Sequence, residues 1–185
     1  MKHFYMAGAA ALTAAILAGC GAQPMDPLAR TIEARTTLQP TQGQQAQGEL
    51  RWVTQKDGSV RVTGEVRGLK PSSTHGFHVH EKGDCSAPDA SSAGGHFNPT
   101  NTAHAHHGAG HAGDLPSLHA DAQGVAKVDF SSRNISLRET PINILGLAAI
   151  VHANPDDGVT QPTGNAGGRI ACGTIDRYYP ERNQP

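Results

Sequence analysis

His78 and His80 stand two residues apart in GFHVHEKGD, residues 76–84, with Phe77 and Val79 beside them. On an extended strand, side chains two apart leave the same face. The two imidazoles therefore point one way, and Phe77 and Val79 the other. Such a strand turns an apolar surface to the core and offers two nitrogen donors to one ion on its back. Imidazole is a donor suited to copper and zinc.

Two donors do not complete a site, and the chain supplies more. It holds 11 histidines in 185 residues, most of them between His75 and His119. A core of ordinary size has no use for so many imidazoles, so metal binding is the chemistry they point to. Four segments concentrate the donors. They are GFHVH with His78 and His80, SAGGHFNP with His96, HAGDLP with His111 and Asp114, and Val151-His152 followed by Asp156 and by GNAGGR, which ends in Arg169.

Short strands and turns must position these segments. Glycine (22), proline (12) and few aromatics (4%) suit a β-rich domain rather than a helical bundle. Residues 47–55 predict a first strand with Leu50 and Trp52 on one face. A hairpin turn at Lys56-Asp57-Gly58 leads to a second, where Val60, Val62, Gly64 and Val66 alternate with polar residues. The histidine strand follows a loop at 68–73. Residues 81–117 show no apolar period and exceed an ordinary loop, which marks them as functional. Strands are expected at 118–122 and 125–130 around an Asp121–Gly124 turn, with a short candidate at 134–137. Gly146–His152 predicts a buried strand ending in a donor, a second Gly-rich loop covers 153–168, and Arg169–Ile175 forms the last strand. No helix is expected, and the polar tail 176–185 is expected to be loose. The class is an all-β sandwich or barrel.

The N-terminus predicts processing. Lys2 and an apolar run from Phe4 to Ala18 end in Leu17-Ala18-Gly19-Cys20, which resembles a bacterial lipobox. Residues 1–19 are then a lipoprotein signal peptide. Residues 20–45 are a lipidated N-terminus and flexible tether, and residues 46–185 are the folded domain. Lipidation at Cys20 would anchor the chain to a membrane without spanning it. Gly21 in place of an aspartate favours the outer membrane, facing the periplasm. Export leaves Cys85 and Cys172 as an even pair in an oxidising compartment, read as one disulfide. The net charge of −1 and pI near 6.8 give no reason to expect a nucleic-acid partner.

Taken together, the four segments resemble the copper–zinc superoxide dismutase family over about residues 48–176. The resemblance implies a flattened eight-stranded Greek-key β-barrel with two long functional loops. It implies dismutation of superoxide to oxygen and hydrogen peroxide, by alternate reduction and reoxidation of a His-bound copper. By the same match, His78, His80, His96 and His152 hold copper. His96 bridges to a structural zinc held also by His111 and Asp114. Asp156 links a copper histidine to a zinc histidine from behind, and Arg169 attracts the substrate anion. Cys85 and Cys172 match the disulfide partners. The middle zinc ligand is His104 by spacing, with His107 as the alternative and His106 a further competitor. His75 matches a structural position and His119 a strand surface, neither a ligand. The loop before Arg169 is shorter than in many relatives and carries only Asp157 besides, so the rate and its salt dependence are left open. So is the choice between monomer and homodimer. The other reading is a non-catalytic periplasmic copper- or zinc-binding protein, buffer or chaperone-like, on the same fold.

Overall fold

The computed structural model describes Met1 and residues 31–180. Residues 2–30, which include most of the expected signal peptide and Cys20, and residues 181–185 lie outside the described residues. Ten strands run in order: β1 Glu33–Pro40, β2 Gln47–Thr54, β3 Val60–Arg67, β4 Thr74–His75, β5 Phe77–His80, β6 Leu118–His119, β7 Ala126–Ser132, β8 Ala148–His152, β9 Arg169–Thr174 and β10 Asp176–Tyr178. No α-helix occurs among the described residues, and a 3₁₀ turn spans Ser91–Ala93. One 8-stranded antiparallel sheet has the order β5-β8-β9-β1-β2-β3-β7, with β10 paired to β1. The crossovers β5–β8, β9–β1 and β3–β7 give the Greek-key character. A small β4–β6 ladder ties together the segments that enter the two edge strands, β5 and β7.

Alternation builds the core. Leu50 and Trp52 from β2, Val60, Val62 and Val66 from β3, Ala126 and Val128 from β7, and Phe77 and Val79 from β5 all join one buried cluster. Strand β8 is buried on both faces. Ala149 and Val151 enter the main cluster. Ala148 and Ile150 pack on the opposite side with Ala90, Ala93 and Cys172. The 81–95 loop therefore covers the back of β8 and is pinned there by the Cys85–Cys172 disulfide. Its Cα atoms lie 5.8 Å apart and 87 residues separate the two cysteines. On a chain-entropy estimate a bridge of that span contributes about 4–5 kcal/mol.

Three expectations need correction. Residues 33–40 are not tether but a strand at the middle of the sheet, paired with β2, β9 and β10. Ala34, Thr36 and Leu38 face inward, and the buried Thr36 hydroxyl accepts the Trp52 indole N–H at 3.0 Å. One alanine, one threonine and one leucine do not read as an apolar alternation, because the polar member is satisfied only by a distant partner. Likewise the tail is not all loose, since β10 pairs with Glu33–Arg35 and the Arg35 guanidinium sits 3.5 Å over the Tyr178 ring. That strand is mostly exposed and has no burial pattern to betray it. The candidate at 134–137 is not a strand either: Ile135 and Leu137 are buried, but Ser136 makes only an isolated bridge to Asn143.

Candidate metal centre

Strand β5 is an edge strand, and its free backbone edge needs partners. The long loop supplies them. Phe97 N–H donates to Val79 O at 2.8 Å, Gly113 N–H to Phe97 O at 2.9 Å, and Val79 N–H to Gly113 O at 2.9 Å. Isolated bridges set His80 against His96 and His78 against Asp114. A loop without a core of its own thus folds back on the histidine strand and delivers two more donors beside it. On the other side β8 pairs with β5 in the register His78↔Ile150 and His80↔Ala148. His152 follows two residues after Ile150, past a register shift at Val151/His152, and stays buried near the same imidazoles.

Two donor sets result. His78, His80, His96 and His152 form one, and His96, His104, His111 and Asp114 the other, each with candidate ligand atoms within 4.8 Å of one another and every residue buried. His96 belongs to both. Its Nδ1 faces Asp114 Oδ1 at 2.9 Å, while its buried Nε2 has no hydrogen-bond partner. The ring packs 3.9 Å, centroid to centroid, from His78 and 5.0 Å from His80.

Acceptors behind the rings fix which nitrogen is free. His80 Nδ1–H donates to Gly94 O at 2.9 Å, and His152 Nδ1–H to Gly167 O at 3.1 Å. His78 Nε2–H donates to Asp156 Oδ2 at 2.6 Å, and His104 Nε2–H to Asp156 Oδ1 at 2.9 Å. Each partner assigns the proton to the outer nitrogen and leaves a lone pair on the inner one. The inner atoms His78 Nδ1, His96 Nε2, His104 Nδ1 and His111 Nδ1 are all buried without a hydrogen bond. His104 Nδ1 and His111 Nδ1 do approach the Asp114 carboxylate, at 3.0 and 3.3 Å. Those contacts lack hydrogen-bond alignment, and a lone pair beside a carboxylate oxygen repels it unless a cation lies between. Buried polar atoms are otherwise nearly always paired. The donor chemistry fits copper in the four-imidazole set and zinc in the three-imidazole, one-carboxylate set.

Burial tunes the same groups. It pushes His80 down to about 2 and His152 down to about 3, and it lowers His78 against the pull of Asp156. Burial also lowers His111. For Asp156, burial alone would raise the carboxyl, but the hydrogen bonds from His78 and His104 outweigh it and hold it well below the carboxylate range. Asp114 is lowered in the same way, burial being overcome by the His96 hydrogen bond and by His104. A stability prediction follows for the chelator-stripped protein. Unfolded histidines take up protons below about pH 6.5, whereas folded His80 and His152 resist until pH 2–3. The unfolded state then binds more protons, so stability is full above pH 6.5 and falls progressively toward pH 3. Thermal melts of the stripped protein across that window check it, and a flat profile contradicts it.

Two close approaches need glycine. A Cβ at Gly164, where φ is +63°, would lie 2.0 Å from Asp156 Oδ1, and one at Gly110 would lie 2.4 Å from Asp114 Oδ2. Arg169, half-buried at the start of β9, donates to Ala90 O and Gly94 O at 2.5 Å each. The Gly94 carbonyl also takes the His80 proton, so the guanidinium is fixed to the donor set through a shared acceptor. Burial lowers the Arg169 pKa from its ordinary value, partly offset by the nearby charge of Asp89.

The other histidines fall outside both sets. His75 Nδ1–H donates to His152 O at 2.8 Å and its Nε2 meets Ser73 Oγ at 2.7 Å. His119 is exposed against Thr74. His107 Nδ1–H donates to Asp114 O at 2.8 Å beside the Phe130 ring. His106 is exposed, with its ring against Gly158. Of the three competing histidines, the structure brings only His104 into the second set. Sequence reasoning missed the orienting acceptors Gly94 O and Gly167 O, because a main-chain carbonyl carries no residue signal.

A Greek-key barrel bearing two buried donor sets joined by one imidazole defines a binuclear metalloprotein. The model of the copper/zinc superoxide dismutase family matches residues 46–175, and the chain belongs to that family. Among relatives, it is 37% identical over 180 residues to the superoxide dismutase-like protein YojM of Bacillus subtilis, covering 89% of this chain and 92% of that one. It is 42% identical over 133 residues to a Cu-Zn superoxide dismutase of Caulobacter vibrioides, covering 66% and 75% of the two chains. The crystal structure of a SOD-like protein from Bacillus subtilis superposes with a TM-score of 0.70 at 37% identity, covering 76% of this chain and 97% of that one. Copper and zinc are the cofactors that the family and the two donor sets fit.

Proposed function

We propose that the protein dismutes superoxide, converting two superoxide anions and two protons to oxygen and hydrogen peroxide. The carrying observation is the shared imidazole: His96 belongs at once to a four-imidazole set and to a set completed by a carboxylate. In this reading His78, His80, His96 and His152 hold copper, and His96, His104, His111 and Asp114 hold zinc. When bound, copper supplies a one-electron couple and zinc supplies charge without a redox state of its own. The residues do the rest. Arg169 places a fixed positive charge beside the four-imidazole set, where an anion is drawn in. His96 Nε2, buried and without a hydrogen-bond partner, is placed to take up and release one of the two protons that peroxide requires. Gly94 O, Gly167 O and Asp156 keep the other rings from turning.

A buffer or chaperone-like role on the same fold would tolerate loss of a copper donor or of the arginine, yet all of these are present. Elemental analysis and superoxide decay measured on the copper- and zinc-loaded protein test the proposal. Decay no faster than in buffer overturns it. Arg169→Ala is expected to slow superoxide capture by about tenfold or more and to flatten its dependence on ionic strength. Arg169→Lys, which keeps the charge but not the two-carbonyl fork, should restore the salt dependence. Rates followed from low to high salt separate charge from packing.

We place this activity in the periplasm, on an outer-membrane lipid anchor at Cys20. The lipobox-like Leu17-Ala18-Gly19-Cys20 supports that reading, and the Cys85–Cys172 disulfide suits an oxidising compartment. Cys20→Ala should release the protein from the membrane fraction. Unchanged membrane association of that variant rejects the anchor.

A further inference from the structure

We infer that Gln161 is a positioning residue for the second donor set, clamping the main chain of His104 so that its ring is held for zinc. This inference rests on the assignment of His104 to zinc made above. His104 lies in the irregular part of the first long loop, where neither of its main-chain groups enters a backbone–backbone hydrogen bond. Both are taken by one side chain instead. His104 N–H donates to Gln161 Oε1 at 2.8 Å, and Gln161 Nε2 donates to His104 O at 2.8 Å. The same Nε2 also donates to Val159 O at 3.1 Å, which fixes the amide within its own loop. A primary amide thus pairs with one residue as a neighbouring strand would, donor to acceptor and acceptor to donor.

The ring end is held from the same loop, by Asp156 Oδ1 at 2.9 Å from Nε2. All three contacts that orient His104 therefore come from residues 156–161 of the second long loop. Nδ1 alone remains, buried, unpaired and directed at Asp114. Gln161 itself is exposed and belongs to no buried cluster. Its loss should loosen one zinc donor without unpacking the barrel. The four-imidazole set does not include His104 and should be indifferent.

The test uses the full chain loaded with copper and zinc and challenged with excess chromogenic chelator. Gln161→Ala should release zinc about tenfold faster, as expected for two lost hydrogen bonds at a factor of ten per 1.4 kcal/mol. Gln161→Met, which keeps length without polar atoms, should do the same. Cobalt(II) placed in the zinc site should show an altered ligand-field spectrum in both variants, while the copper EPR spectrum and the melting temperature of the stripped protein stay at wild-type values. Unchanged zinc release in both variants, with His104→Ala releasing zinc fast, overturns the clamp and leaves the zinc assignment standing. Unchanged release in His104→Ala overturns the assignment and the clamp together. A parallel change in zinc release, copper EPR and stripped-protein melting also overturns it, since that is loop packing and not positioning.

Discussion

His152→Ala is expected to abolish superoxide turnover while zinc stays bound. His152 belongs to the four-imidazole set and not to the other, so its removal leaves His96, His104, His111 and Asp114 intact. The backbone roles of the residue survive the change. His152 N–H still donates to Gly76 O, and His152 O still accepts from His75 Nδ1. Fold and register therefore persist, and the lost group is one donor whose Nε2 sits 3.3 Å from His80 Nε2. Merely disturbing a residue behind a metal ligand costs about 10–100-fold, so deleting a ligand should reduce turnover by roughly 100-fold or more. The measurement pairs superoxide decay with zinc and copper content. Zinc near one per chain with lost activity is the expected outcome. A variant that retains full turnover removes His152 from the chemistry. A variant that loses zinc as well shows that the two sets are not separable.

Much of this centre was legible because strand geometry is periodic and local. The alternation of His78 and His80 with Phe77 and Val79 sends two donors to one face and two apolar side chains to the core, and the structure buries both pairs in that arrangement. The apolar run 146–152 signalled a buried strand for the same reason. Contacts between distant segments were harder. Spacing favoured His104 over His107 and His106 but did not show what selects it, which is the second loop, supplying Asp156 and Gln161 from more than fifty residues away. Strand β1 escaped because Thr36 counts as polar until Trp52 is beside it. Strand β10 escaped because its stabilising contact is a guanidinium over a half-buried ring and not a buried face. The family resemblance supplied the convergence of the four segments, which no local rule contains.

Asp156→Ala is expected to weaken both metal sites at once, by about 10–100-fold each, because one carboxylate orients a histidine of each set. Oδ2 takes the proton of His78 Nε2 at 2.6 Å, Oδ1 takes that of His104 Nε2 at 2.9 Å, and Oδ1 also receives Gly158 N–H at 2.7 Å. Without these acceptors each ring is free to turn or to move its proton to Nδ1, and a protonated Nδ1 is no ligand. Asp156→Asn sharpens the test at constant volume. Its amide oxygen serves one of the two rings, but its NH₂ meets the N–H of the other. That ring must turn away or carry its proton on Nδ1, so at one of the two sites Asn should be at least as damaging as Ala. Chelator competition run separately for copper and zinc on the two variants checks this. A loss confined to a single metal in the alanine variant would show that Asp156 serves one site only, and that the two sets communicate through His96 alone.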